Sequence, residues 1–180
     1  MNVHKNARLT PQGRLLLVRR ITEEGWRVAD AAQAAGCKMI IESIVTTLAK
    51  DGAIHIAPMG VIWRDDTPVL APFRPSTTLD NLAAHPFAVI NHTDDVRIFA
   101  GCLTGRRDWP TRRAEKVVGH VLVNALSHQE VAVERRDEDE MRSRFSCRVV
   151  YTANHRPFGG FNRAQAAVIV KFAAIATAGL

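Results

Sequence analysis

The run Met39-Ile40-Ile41-Glu42-Ser43-Ile44-Val45-Thr46-Thr47-Leu48 constrains this chain more than any other segment. It is dense in β-branched residues and closes on Lys50-Asp51-Gly52, a hairpin signal. A second strand-like run, Ala53 to Trp63, comes at once, with Pro58 and Gly60 inside it. A proline cannot donate to a ladder, so Pro58 predicts a sheet edge or a bulge. Pro68 to Phe73 and Phe87 to Asn91 read as two further strands, separated by a short helix from Ser76 to Ala84. Asp94-Asp95 can cap a helix running toward Leu103. Residues 105–116 read as a basic loop, Val117 to Ala125 as a strand, and Glu130–Arg136 and Arg142–Thr152 as strands joined around the charged turn at Asp137 to Glu140. A last helix is predicted from Phe161 or Asn162 to about Ala176. The fold class is mainly β with helices, a β-barrel plus α.

The first 38 residues have another texture. Thr10-Pro11 is a helix start, Gly25 breaks that helix, and Val28 to Ala35 forms a short Ala-rich helix ending at Gly36. This gives two units, a helical leader at 1–38 and a β-rich domain at 39–180. Residues 1–38 carry seven basic and three acidic side chains, while the rest carries 17 and 15, so most of the +6 charge sits in the leader. Such a leader suits either nucleic acid or a solvated helix face.

Other chemistries leave no trace. The three cysteines are scattered without a CxxC pair, which argues against a zinc knuckle or a disulfide framework and fits a reducing cytoplasm. The seven histidines show no ligand spacing, so no metal is expected, and His55 reads as structural. There is no GxGxxG, P-loop or GxSxG. The apolar stretches Leu15–Val18 and Ala164–Leu180 are too short or too weak for a signal or a span.

Two resemblances attach to named residues. His55-Ile56-Ala57-Pro58-Met59-Gly60-Val61, Pro72-Phe73-Arg74-Pro75-Ser76-Thr77-Thr78-Leu79-Asp80-Asn81-Leu82, Val89-Ile90-Asn91-His92-Thr93-Asp94-Asp95 and Gly160-Phe161-Asn162-Arg163-Ala164, together with the run from Met39, resemble an uncharacterised archaeal and bacterial flavoprotein-like family. That family is related to the flavin mononucleotide (FMN) binding split barrels of flavin reductases and flavoredoxins. His4-Lys5-Asn6-Ala7-Arg8-Leu9-Thr10-Pro11 and Val28-Ala29-Asp30-Ala31-Ala32-Gln33-Ala34-Ala35-Gly36 resemble the opening of integrase-type insertion-sequence transposases. Where the recognition helix of a helix-turn-helix should begin stands the strand-forming Cys37-Lys38-Met39-Ile40-Ile41, so the motif is truncated. Two readings account for both: a fusion made by an insertion element, with Met39 near the ancestral start, or a reading frame made chimeric in another way. The resembling family is expected to continue for further helices beyond Leu180, so the domain reads as C-terminally truncated.

The resemblance implies FMN as cofactor, a homodimer with flavin at its interface, and a small oxidoreductase. The alternatives are a flavin-binding protein without catalysis, or a DNA-binding transposase remnant. Arg74, Ser76, Thr77 and Thr78 read either as a phosphate cradle or as helix capping. Pro58, Met59 and Gly60 read as a wall for the flavin ring or as a bulge. Asn91 reads as a donor to the flavin or a turn former. Asn162 and Arg163 read as phosphate ligands, offered across a dimer, or as a helix cap and a surface residue. Arg106, Arg107, Trp109, Arg112 and Arg113 suit either nucleic acid or a surface loop. No side chain stands out as a general acid or base.

Overall fold

A computed structural model describes residues 11–35, 39–64, 66–138, 142–160 and 162–178. The predicted first hairpin is present. Strand β1 (Met39–Leu48) pairs antiparallel with β2 (Ile54–Arg64), from Met39 opposite Trp63 to Leu48 opposite Ile54. The turn requires Gly52, whose φ is +85°, and the Asp51 carboxylate accepts the Ala53 amide at 3.0 Å.

Strand β3 (Thr67–Leu70) is shorter than the sequence predicts, because the chain leaves the sheet at Ala71 and turns into helix α1 (Thr77–Ala84). Strand β4 (Phe87–His92) comes next, then helix α2 (Val96–Leu103) with Asp95 as its cap. The expected loop at 105–116 holds strand β5 (Thr111–Arg113), which pairs only with β6 (His120–Leu122). The predicted strand from Val117 to Ala125 shrinks to those three residues of β6. The backbone N–H groups of Glu115, Lys116 and Val117 are taken instead by the Glu130 carboxylate, at 2.6–2.9 Å, and cannot join a ladder. Strands β7 (Ser127–Asp137) and β8 (Arg144–Asn154) form the last hairpin; residues 139–141 of its turn lie outside the described residues. Helix α3 (Arg163–Ala178) ends the described chain.

Six strands close into a barrel in the order β1-β2-β3-β8-β7-β4, with β4 returning to β1 through Ile44 to Thr46. Alternation decides what each side chain meets. Val45, Val61, Leu70, Ile90, Val131 and Phe145, from all six strands, fill the interior, and Leu79 and Leu82 of α1 join them. On the outer face Ile44 and Ile56 meet Ile98, Phe99 and Cys102 of α2. Burying Phe99 or Ile98 there is worth roughly 1.5–3 kcal/mol each. Val89 meets Val117 and Val121 under the β5–β6 hairpin.

The closure is incomplete beside β2. β2 pairs with β3 only from Ile62 to Arg64, so its outer edge from Ile54 to Val61 faces no strand. Pro58 sits on this stretch while pairing normally with Ile44 across β1, which places it at an edge and not in a bulge. Gly60 is required for packing. A Cβ there would lie 2.7 Å from Ile40 Cγ2.

The leader is helical over Pro11–Thr22 and Val28–Ala34, and Gly25, at φ +68°, ends the first helix. Ala31 is buried, whereas Leu15, Leu16 and Val18 are exposed. The expected helix end at Gly36 and the residues before Pro11 lie outside the described residues. The next element after the second leader helix is strand β1, with no recognition helix among the described residues. No helix among the described residues is long and apolar enough to cross a membrane.

Candidate functional site

The unpaired edge of β2 borders a cavity of about 500 Å³. Its opposite wall is the segment from Ala71 to Thr78 that leaves β3 and enters α1, and Leu103 and Arg107 close one end. Six of the residues predicted from the sequence meet here: Pro58, Met59, Gly60, Ser76, Thr77 and Thr78.

Strand geometry fixes what the edge offers. The Ile56 carbonyl accepts from Arg107 Nη1 at 2.6 Å, away from β1. A residue's N–H and C=O point to the same side of a strand, and the side alternates. The carbonyls of Pro58 and Gly60 and the Gly60 N–H therefore face the same open edge. The missing N–H of Pro58 costs nothing there. The helix opposite is capped by Ser76, whose Oγ accepts from Leu79 N at 3.3 Å, while Ser76 O accepts from Asp80 N at 3.2 Å. The first-turn donors left without an intrahelical acceptor are the N–H groups of Thr77 and Thr78. Ser76 is thus a cap, as one of the two sequence readings held, and the two threonines supply what an anion needs.

Arg74 is not one of the charged residues of this cavity. Its guanidinium hydrogen-bonds the buried Ser143 Oγ, with Nε at 3.2 Å, and pairs with Glu138. Arg74 does not line the cavity. Arg142 does, lying 3.5 Å from the ring centroid of Phe73, a cation–π contact. Arg142 meets no carboxylate among the described residues, and burial weakens its hold on its proton. A guanidinium nevertheless stays charged. No sequence signal marked Arg142; it belongs to no motif, and only the pairing of β3 with β8 brings it to Phe73.

Glu42 and His55 also line the cavity. Burial pushes the Glu42 carboxyl above its ordinary range, and burial with the Arg107 charge pushes the His55 imidazole below its own. Burial likewise raises the Cys102 thiol. Among the described residues no three His, Cys, Asp or Glu side chains are grouped to hold a metal ion.

The other predicted residues lie elsewhere. Asn91 is fully buried on the outer barrel face. Its Nδ2 donates to Ile44 O at 3.0 Å and Val89 O at 3.3 Å, and its Oδ1 accepts from Leu122 N at 2.9 Å. It ties β6 to the barrel and is neither a cavity residue nor a turn former. Asn162 caps α3, accepting from Ala164 N at 2.9 Å, and Arg163 is exposed; neither reaches the cavity within one chain.

Residues 41–156 match the sequence profile described as protein of unknown function (DUF447), N-terminal domain. The chain belongs to this family. Residues 1–48 match the profile of the leucine-zipper of insertion element IS481, so both resemblances read from the sequence stand. No curated protein matches the chain. Among solved structures, the DUF447 barrel is similar to the FMN-bound protein MM1853 from Methanosarcina mazei, at 17% identity and TM-score 0.63 over 74% of this chain and 72% of that one. It is also similar to the 2-nitrobenzoate 2-nitroreductase NbaA of Pseudomonas fluorescens, at 15% identity and TM-score 0.57 over 86% and 77%. A third likeness is to flavoredoxin from Methanosarcina acetivorans, at 10% identity and TM-score 0.56 over 64% and 69%. The fold is that of the flavin-binding split barrels.

Proposed function

We propose that this protein is an FMN-binding flavoprotein that works as a small oxidoreductase, with the flavin in the cavity between the β2 edge and α1. The observation that carries the reading is Arg142, a cation without a carboxylate partner among the described residues, in the same cavity as the two uncapped N–H groups of Thr77 and Thr78. A dianionic phosphate matches that donor set. The β2 edge suits the other end of the ligand, since a flat heterocycle with alternating donors and acceptors complements the Gly60 N–H and the Pro58 and Gly60 carbonyls. The FMN-bound relative of the same family supports the choice of cofactor.

Bound FMN supplies electron transfer that no side chain here performs. The chain's residues bind and orient. Thr77, Thr78 and Arg142 hold the anionic end, Gly60 and Pro58 the polar ring edge, and Met59 and Ala57 the apolar body. Glu42 adds a carboxyl that burial pushes above its ordinary range.

A homodimer belongs to this reading. Ile40 and Leu103, 50% and 45% exposed, line the cavity, and a second copy covering them would exclude water from it. A cytoplasmic location is supported by the free thiols of Cys102 and Cys147. Denaturing the purified protein and identifying the released chromophore tests the cofactor, and anaerobic bleaching by a nicotinamide donor tests the oxidoreductase reading. Release of FMN with bleaching is expected. A protein that binds no flavin even when FMN is added would overturn the first, and a bound flavin that no donor reduces would overturn the second.

A further inference from the structure

A second cavity, of about 600 Å³, opens at the barrel mouth where β4, β7 and the end of β8 meet, and it shares no lining residue with the first. Its lining includes His92, His155 and Arg156 and no Asp or Glu. His155 and Arg156 are held side by side, because both backbone N–H groups donate to Leu126 O, at 2.7 and 3.1 Å. Arg156 Nη2 is steadied by Asn124 O at 2.7 Å. His92 has both ring nitrogens engaged, with Ser43 Oγ at 3.3 Å and Gln129 Oε1 at 3.1 Å.

Behind His155 runs a buried polar chain whose protons can be counted. The carboxylate of Glu130, fully buried, takes three backbone N–H groups and stands 3.2 Å from His128 Nε2. His128 Nδ1 is 2.8 Å from His155 Nε2, the rings inclined by only 11°. Arg112 Nη2 is 3.2 Å from that same Nε2. A guanidinium only donates, so Nε2 of His155 must be bare. His128 Nδ1 must then carry a proton, and its Nε2 carries another for Glu130. Every contact is satisfied with His128 as imidazolium and the proton of His155 on Nδ1. The surroundings resist that extra proton. Burial lowers His128, against the raising effect of Glu130, and burial, His128, Arg112 and Arg156 all lower His155. The nearby carboxylates already have partners: Glu130 its four donors, Glu115 the Arg112 guanidinium at 3.5 Å, and Asp95 the Arg97 guanidinium at 2.6 Å, although Asp95 also feels the Arg156 charge and Asp94 lines the neighbouring pocket with Arg156. Tyr151 adds only a tilted ring 5.9 Å from His128.

We propose that the barrel-mouth cavity binds a small oxyanion, a carboxylate or phosphate group, between His155 Nδ1–H and Arg156, and that the His128–His155 pair retains one proton with it. The anion supplies the negative charge that the cavity lining lacks, and the proton comes from solvent. Binding therefore tightens as pH falls, by at most about tenfold per pH unit for one coupled proton.

The test titrates the full chain with inorganic phosphate and, separately, with acetate between about pH 6 and 8, the range in which histidine titrates. It follows the histidine side chains by NMR and measures proton uptake by calorimetry in buffers of different ionisation enthalpy. At least one anion is expected to shift His155 saturably, with proton uptake and tighter binding at the acid end; the tighter anion names the group. Arg156→Gln is expected to weaken binding at least about tenfold, the scale of one lost charged hydrogen bond, while FMN binding stays unchanged. His155→Gln gives the same loss and stands in should Arg156→Gln not fold. Unmoved His155 signals with both anions, binding without proton uptake, or equal binding by the folded variants would each overturn the proposal.

Discussion

Arg142 lies over the ring of Phe73, its guanidinium carbon 3.5 Å from the ring centroid. The two residues come from distant parts of the barrel sequence, and the pairing of β3 with β8 brings them together. The aromatic face holds the cation in the cavity without neutralising it, which leaves the charge available to an anion.

Arg142→Gln is expected to weaken FMN binding by about 1.5–3 kcal/mol, the usual worth of a hydrogen bond to a charged group. Arg74→Ala, by contrast, is expected to leave FMN affinity nearly unchanged and to cost roughly 0.5–1 kcal/mol of stability, because its guanidinium serves Ser143 and Glu138. Fluorescence titration of both variants, with urea denaturation alongside, checks this. Equal losses of affinity would return Arg74 to the site.

Gly60→Ala is expected to destabilise the barrel by about 1–3 kcal/mol, since the new Cβ would stand 2.7 Å from Ile40 Cγ2. Adding Ile40→Ala should recover most of that loss. Comparison of urea midpoints for the single and double variants measures the coupling, and additive losses would place the strain elsewhere.

Asn91→Ala should leave the Leu122 N–H and the Ile44 carbonyl without their side-chain partner. At about 1–3 kcal/mol for each buried group left unsatisfied, a loss of roughly 3 kcal/mol is expected. The remaining folded protein should bind FMN normally. A selective loss of flavin with unchanged stability would show that Asn91 serves the ligand.

The Glu130, His128 and His155 chain predicts an acid limb in stability. Burial holds His128 and His155 below 6.5 in the folded protein, so the unfolded chain binds more protons and stability rises with pH. Their contribution is complete above about pH 6.5 and is lost as pH falls below it toward the folded values. Burial works against the charge of Glu130, but its backbone donors and His128 hold its carboxyl below 4.5, so a further loss comes as pH falls below 4.5. Urea midpoints from about pH 8 down to about pH 4 measure both steps, and His128→Gln should flatten the upper one. A midpoint that does not move as the histidines titrate would contradict the proposed ionisation.

Much of the barrel was legible in the sequence because local rules and tertiary packing agree there. The β-branched run from Met39, Gly52 at its turn and Pro58 on an edge all say the same thing. The segment from Val117 to Ala125 misled, since its strand-like composition is overridden at its start by the carboxylate of Glu130, a partner from another strand, which takes the Val117 N–H and those of the two residues before it. Ser76, Thr77 and Thr78 could be placed from the helix start they form. Arg142 could not, because its role depends on a cation–π contact between the segment that follows β3 and the one that precedes β8, which no spacing encodes. Asn91 shows the reverse, a conspicuous polar residue whose hydrogen bonds are spent on the fold.

The proposed seat of FMN is the gap beside β2, and backbone amide NMR during titration of the full chain with FMN checks it. Saturable shifts concentrated at Gly60, Thr77 and Thr78, and at the Arg142 side chain, are the predicted result. Binding that leaves those signals in place while moving others, or no binding at all, would contradict it.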